Sequence, residues 1–469
     1  MLQQPLTDLD VSPGFVVEWS LGRDGAVGAP HPSSYNQHKH YAVTADTADE
    51  PDEGDPPFHS WIAMTFELPG PPDREALAAA LHRVVARHEI LRCDFERAAG
   101  DLTCGIIDAD DIAVTAHEVG RLDTTEAVRE HLFASFCTRL EIMRWPLLVM
   151  STVEREWSTT VSVAVDHLVS DGGSVPILVR DLAETYTALT EGRDAELPPA
   201  GSYVEFGEQQ RRAYDDVTPD DPRLAPWRGF MERNGGFFPR FPLDLGIADG
   251  VRLHPTSNRT EQLLDADDAD ALEAWGREHG VRVPAAVLGA LGATVRALGG
   301  PETYRALLPV NERGRDPERV NSMGWYVNTM PVEFDVSAGT DAALTGANDA
   351  LTEMVRSLDV PFVKAWYALA PELAALPAWP YAVNFFSFMD FRKAAGGSDP
   401  IVSAARMHVW SSGANGICHW FHRNTDGLHV NTIRVANPTA DATERALVDG
   451  VRGVLAELAT TARTAAAAR

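Results

Sequence analysis

The segment from Trp157 to Glu191 constrains the fold more than any other, because its apolar period changes abruptly within it. From Trp157 to Val165, Trp157, Val161, Val163 and Val165 fall on one face and Ser158, Thr160, Ser162 and Ala164 on the other, the alternation of a half-buried strand. After the polar run Asp166–Gly173 (DHLVSDGG), Val175, Leu178, Val179, Leu182 and Tyr186 recur at helical spacing, with Ser174 as the expected N-cap and Pro176 tolerated in the first turn. A strand that passes through one tight loop into an amphipathic helix requires a sheet with helices laid against it.

The rest of the chain repeats that alternation. A strand is expected at 59–68, and behind Pro71 and Pro72 a helix starts near Asp73 with Leu77, Ala80, Leu81, Val84 and Val85 on its inner face. The acidic, Pro-containing run 45–57 reads as a solvated loop. In the second half, helices at 267–279 and 284–298 precede strands at 303–310, 323–336 and 381–390, and a helix closes the chain over 443–459. One core rarely grows past about 250–300 residues, so 469 residues need two. The Pro-rich stretch near Pro198 is the expected junction, giving α/β (α+β) domains over 1–198 and 199–469.

A formal net charge of −28 disfavours nucleic acid and anionic membrane as partners. The four cysteines have no metal-binding spacing and are too few for a disulfide scaffold, so they read as reduced core residues. Cys418, His419 and His422 lie close in sequence, but a strand would turn them to different faces, and no metal is expected. No stretch of about 18 apolar residues occurs, and Met1–Asp10 lacks a basic, then apolar, leader, from which a cytoplasmic location is expected. Gly-rich phosphate loops and a GxSxG elbow are absent, which removes the dinucleotide, NTP and serine-hydrolase classes.

The chemistry then falls to His167. It ends the expected strand in the pattern His167-Leu-Val-Ser-Asp171-Gly172, where a turn can present an imidazole at a sheet edge. Histidine is the side chain whose ordinary pKa suits proton transfer near neutral pH. Asp171, bent back by Gly172 and Gly173, is placed to pin the loop rather than to act as a second base.

Six segments in order give this reading a family context. Ser33–His40 (SSYNQHKH), 81–96 (LHRVVARHEILRCDFE), Asp166–Gly172, 202–211 (SYVEFGEQQR), 309–334 (PVNERGR with MGWYVNTMPVEF) and 383–392 (VNFFSFMDFR) resemble the condensation-domain superfamily of CoA- and carrier-protein-dependent acyltransferases, most closely the polyketide-associated acyltransferases of actinobacteria. The resemblance implies two chloramphenicol-acetyltransferase-like subdomains in a V around a tunnel, with His167 as general base. It also implies a structural Asp171 paired with an arginine of the second subdomain, Arg313 or alternatively Arg315. The family often doubles the motif histidine, and here Asp166 stands in the first position.

Asn384 and Ser387 are candidates to bind the tetrahedral intermediate, and Tyr35, His38 and His40 to line a substrate channel. The implied donor is an acyl thioester on CoA or on the phosphopantetheine of an acyl or peptidyl carrier protein, and the acceptor a small alcohol or amine. No permanently bound cofactor is expected, and a monomer is. Carrier docking would need a local basic patch, for which Arg211, Arg212, Arg313, Arg315 and Arg319 are available. Two rival readings keep the fold: a catalytically silent scaffold that docks carrier proteins, and a cyclising or hydrolytic enzyme.

Overall fold

The computed structural model describes residues 1–49, 60–98, 101–141, 144–247, 253–356, 359–373 and 383–467. The chain forms two compact units that interleave in sequence. The first comprises Met1–Asp216, Asn311–Val327 and Phe391–Ser412, and the second Val217–Val310, Asn328–Asp390 and Gly413–Arg469. The expected boundary near Pro198 thus lies inside the first unit, and the second half returns two segments to it. One returning segment carries the strand Arg406–Ser411, which pairs antiparallel with Ser60–Pro69, a loan that composition along the chain cannot reveal.

The sheet of the first unit has seven strands in the order Leu2–Gln3, Arg406–Ser411, Ser60–Pro69, Ser158–Val165, Leu148–Glu154, Gly14–Arg23 and Ile112–Leu122, and a separate three-stranded sheet joins Val27–Pro32, Asp101–Ile107 and Cys93–Ala98. Ser158–Val165 is central, and its burial corrects the half-buried expectation. Thr159, Thr160, Ser162 and Ala164 are as buried as Val161, Val163 and Val165. Ala164 joins the apolar cluster that Val128, Leu132 and Phe136 of the helix Thr125–Arg139 make with the sheet, and Ser162 meets the Thr65 hydroxyl at 3.1 Å. Ser162 and Thr160 are tolerated on a covered face because their hydroxyls find partners, Thr160 with Arg155 and Glu67. Trp157, expected to face inward, is 70% exposed at the hairpin turn before the strand.

The helix Ser174–Glu191 buries the expected stripe and ends at Gly192, whose φ of 69° suits a left-handed C-cap. Its N-cap is Gly173 rather than Ser174. Ser174 is the first helical residue, with its own amide taken by the Asp171 carboxylate at 2.9 Å. Arg74–Arg87 packs alongside, capped by Asp73, which accepts from the Ala76 amide at 3.0 Å. The loop expected over 45–57 begins as helix, since Tyr35–Asp49 is helical; the remainder lies outside the described residues.

The second unit is also a seven-stranded sheet, ordered Val327–Asp335, Thr303–Asn311, Phe385–Asp390, Ile417–Asn424, Gly427–Val435, His254–Asp265 and Gly413–Ala414. Helices Ala266–His279, Val283–Ala297 and Pro438–Ala467 stand where sequence periodicity put them, the last one longer at both ends. The strand expected at 323–336 begins only at Val327, because the residues before it leave the sheet. Gly324 there has φ of +146°, a region L side chains rarely enter. Residues 381 and 382 of the expected third strand lie outside the described set, and the strand itself is Phe385–Asp390. No helix among the described residues is long and apolar enough to cross a membrane.

Candidate active site

The central strand Ser158–Val165 ends at Asp166, and the chain then makes a single turn of 3-10 helix, His167–Val169. Asp166 caps that turn, its carboxylate accepting the Leu168 amide at 2.7 Å, while the Ser170 hydroxyl donates to the Asp166 carbonyl at 3.0 Å. The Leu168 carbonyl accepts from the Gln37 amide side chain at 2.9 Å. These bonds hold the loop that presents His167 at its backbone, as a buried turn requires.

Behind the turn a second lock holds the loop to the segment Asn311–Val327 of the same unit. Asp171 and Arg313 are both buried, and the Arg313 guanidinium donates to Asp171 at 2.7 Å. The same carboxylate oxygen accepts the Tyr326 amide at 2.9 Å, and the other accepts the Ser174 amide. Arg313 spends its remaining donors on the carbonyls of Ser322 (2.8 Å) and Gly324 (2.9 Å) and on the Ser174 hydroxyl (2.8 Å), and its plane lies 4.6 Å over the Tyr326 ring. Hydrogen bonding this extensive is what makes a buried ion pair tolerable. Arg313 rather than Arg315 is thus the partner, and it belongs to the first compact unit although it lies in the second half of the sequence. Glycine is needed twice here: a Cβ at Gly173 would stand 2.9 Å from the guanidinium, and one at Gly324 only 2.2 Å from the Tyr203 ring. Gly172 forms the turn between Asp171 and the helix.

That lock sets Trp325 against His167. The two rings are 3.9 Å apart between centroids and inclined by 32°. His40, from the helix Tyr35–Asp49, completes the cluster, 5.3 Å edge-on to Trp325 and 5.9 Å from His167. The His167 residue keeps intermediate exposure, but its ring is packed closely enough that burial, aided by the neighbouring His40, pushes its pKa down to about 4. At neutral pH it is the free base, able to accept a proton. Sequence reading did not single out Trp325. Its only signal was its place inside the MGWYVNTMPVEF segment, with nothing to say that the chain crosses back to His167 there.

The other expected residues are engaged as follows. The buried Tyr35 donates its hydroxyl to Asp215 at 2.7 Å and lies under the Arg211 guanidinium. His38 faces Asp101 at 3.7 Å. Asn384, in the second unit, is buried and donates to the Arg305 carbonyl at 2.8 Å, tying two strands together. Ser387 lies on the strand Phe385–Asp390, opposite Trp420 in register. Of the arginines considered for a basic patch, Arg313 is buried, and the others each stand near a carboxylate, Arg211 near Asp101, Arg212 near Glu208, Arg315 near Glu312 and Arg319 near Asp316, with Arg212 and Arg315 still exposed. His419 and His422 lie within the buried strand Ile417–Asn424, and the described residues contain no group of three metal-ligating side chains.

The chain is similar to known proteins in both sequence and fold. The family model described as Condensation domain matches residues 55–372. The chain is 27% identical over 395 residues to the 2'-acyl-2-O-sulfo-trehalose (hydroxy)phthioceranyltransferase PapA1 of Mycobacterium tuberculosis, covering 81% of this chain and 73% of that protein. Among solved structures it is similar to the PapA2 acyl transferase, with a TM-score of 0.84 at 23% identity over 98% of this chain and all of the other. The first condensation domain of the CDA synthetase superposes with a TM-score of 0.70 at 17% identity, over 92% of this chain and 97% of that one.

Proposed function

The chain belongs to the condensation-domain family, and from that premise we propose that it is an acyltransferase that moves an acyl group from a thioester onto a hydroxyl or amine of a small acceptor, with His167 as the general base. The thioester is a substrate, presented on CoA or on the phosphopantetheine of a carrier protein. The names of its mycobacterial relatives, transferases acting on sulfated trehalose, favour a hydroxyl acceptor in lipid biosynthesis.

The observation that carries this reading is an imidazole presented by a hydrogen-bonded turn at the end of the central strand and packed against Trp325, where burial lowers its pKa. His167 takes the acceptor proton as the oxygen attacks the thioester carbonyl, and a C–O bond forms in the tetrahedral intermediate. On collapse the C–S bond breaks, and the departing sulfur receives the same proton. An imidazole whose pKa lies near 4 is a modest base but, once protonated, a strong acid, well matched to the second transfer. Asp171 and Arg313 touch each other rather than the ring and serve to position it. No acyl-enzyme and no metal enter this scheme.

The test offers the purified chain an acyl-pantetheine, the matching acyl-CoA and the acyl-loaded carrier protein, each with trehalose 2-sulfate, and follows ester by mass spectrometry and thiol by titration. Ester and thiol in equal amounts are expected from at least one donor. Thiol without ester would make the protein a hydrolase. No turnover with any donor, together with binding of the loaded carrier, would make it a docking scaffold.

A further inference from the structure

Beside the base lies a carboxylate with no assigned work. Asp166 is fully buried, and one of its oxygens caps the His167–Val169 turn while the other, Oδ2, has no hydrogen-bond partner among the described residues. A buried carboxylate with an open lone pair needs a counter-charge close by. His40 approaches this carboxylate on the side of the capping oxygen: its Nε2 stands 3.6 Å from Asp166 Oδ1, and its side chain is only 8% exposed. His40 is at the same time 5.9 Å from the His167 ring and against the edge of Trp325.

Three elements enclose this group. The helix Tyr35–Asp49 brings His40, with His38 and the buried Lys39 next to it in sequence; the turn brings Asp166 and His167, with Asp171 beyond; and Asn311–Val327 brings Arg313, whose charge is matched by Asp171. Left alone, the Asp166 carboxylate would favour a protonated His167, which cannot act as a base. We propose that Asp166 and His40 form a second pair in the site, in which the His40 ring, set between the buried carboxylate and the base, offsets the pull of Asp166 on His167 and holds the base in its proton-accepting form. His40 and Asp166 are positioning residues in this scheme, and they touch neither reacting atom. The direction of the electrostatic influences agrees: His40 lowers the His167 pKa, whereas Asp166 raises it.

The proposal rests on His167 as base, and its test has one readout that does not. The acid limb of kcat/KM and the ring-proton NMR titration of His167 are both measured in the wild type, His40→Gln, Asp166→Asn, the double variant and His40→Lys. In Asp166→Asn the side-chain oxygen can still cap the turn, so the fold is preserved. With a unit charge about 6 Å away in a medium of effective dielectric about 20–40, His40→Gln moves both the limb and the titration up by about one to two pH units. Adding Asp166→Asn to His40→Gln brings them back towards the wild-type position, and His40→Lys, which places a fixed cation there, leaves them at that position. A merely structural His40 would lower activity with limb and titration unmoved, and that outcome overturns the pair. So does a double variant no closer to wild type than His40→Gln. If the His167 titration moves as stated while the activity limb follows another group, the pair stands and the base assignment fails.

Discussion

Asp171 and Arg313 carry opposite charges in a place that water does not reach, so each is tolerable only because of the other. Asp171→Asn leaves a guanidinium without its counter-charge and Arg313→Ala leaves a carboxylate, and either is expected to cost about 3–5 kcal/mol in urea denaturation. Both should also lose activity, because Trp325 and the turn lose their anchor. An unchanged urea midpoint in both variants would show that the pair contributes nothing. The motif residues His167, Asp171 and Gly172 were legible in sequence because the turn that joins them is local. The pairing with Arg313 was legible only through resemblance, since 142 residues separate the partners. His40 and Trp325 could not be placed beside His167 at all, because their meeting depends on where a distant segment re-enters the unit.

At the scale of elements, periodicity read the strand and helix around His167 correctly but misjudged what covers the strand. Alternation distinguishes two faces; it cannot say that a second layer, here the helix Thr125–Arg139, covers the more polar one. It also overextended the strand by one residue into the turn, where Trp157 points to solvent. These placements make opposite predictions for two large apolar side chains. Leu178→Ala, in the fully buried stripe of the helix Ser174–Glu191, should destabilise by about 2–5 kcal/mol. Trp157→Ala should stay within about 0.5 kcal/mol of wild type despite removing a larger group. Denaturant midpoints of the two variants check both, and a loss at Trp157 comparable to that at Leu178 would mean that the hairpin register is wrong.

Across the whole molecule the interleaved division explains why a single junction near Pro198 was a natural expectation: polar and Pro-rich composition marks a surface stretch, whereas a strand lent by the second half of the chain to the first unit leaves no compositional trace. Both units share an acid liability. Burial pushes His408 and His419 down to about 4 and His422 down to about 3, from an ordinary value of 6.5. All three stay neutral in the folded state while the unfolded chain takes up protons below pH 6.5, so stability is level above that pH and falls as pH drops towards 4. The loss approaches about 1.4 kcal/mol per pH unit for each histidine. Urea midpoints at pH 7.5 and 5 read it, and His422→Gln should flatten the dependence; a midpoint independent of pH over that range would contradict the burial of these rings. Acyl transfer is assigned here to one side chain, His167. Single-turnover transfer from a bound acyl-pantetheine by the folded His167→Ala variant should be slower than wild type by at least about a hundredfold, with donor affinity unchanged. Transfer at the wild-type rate in a correctly folded His167→Ala protein would contradict it.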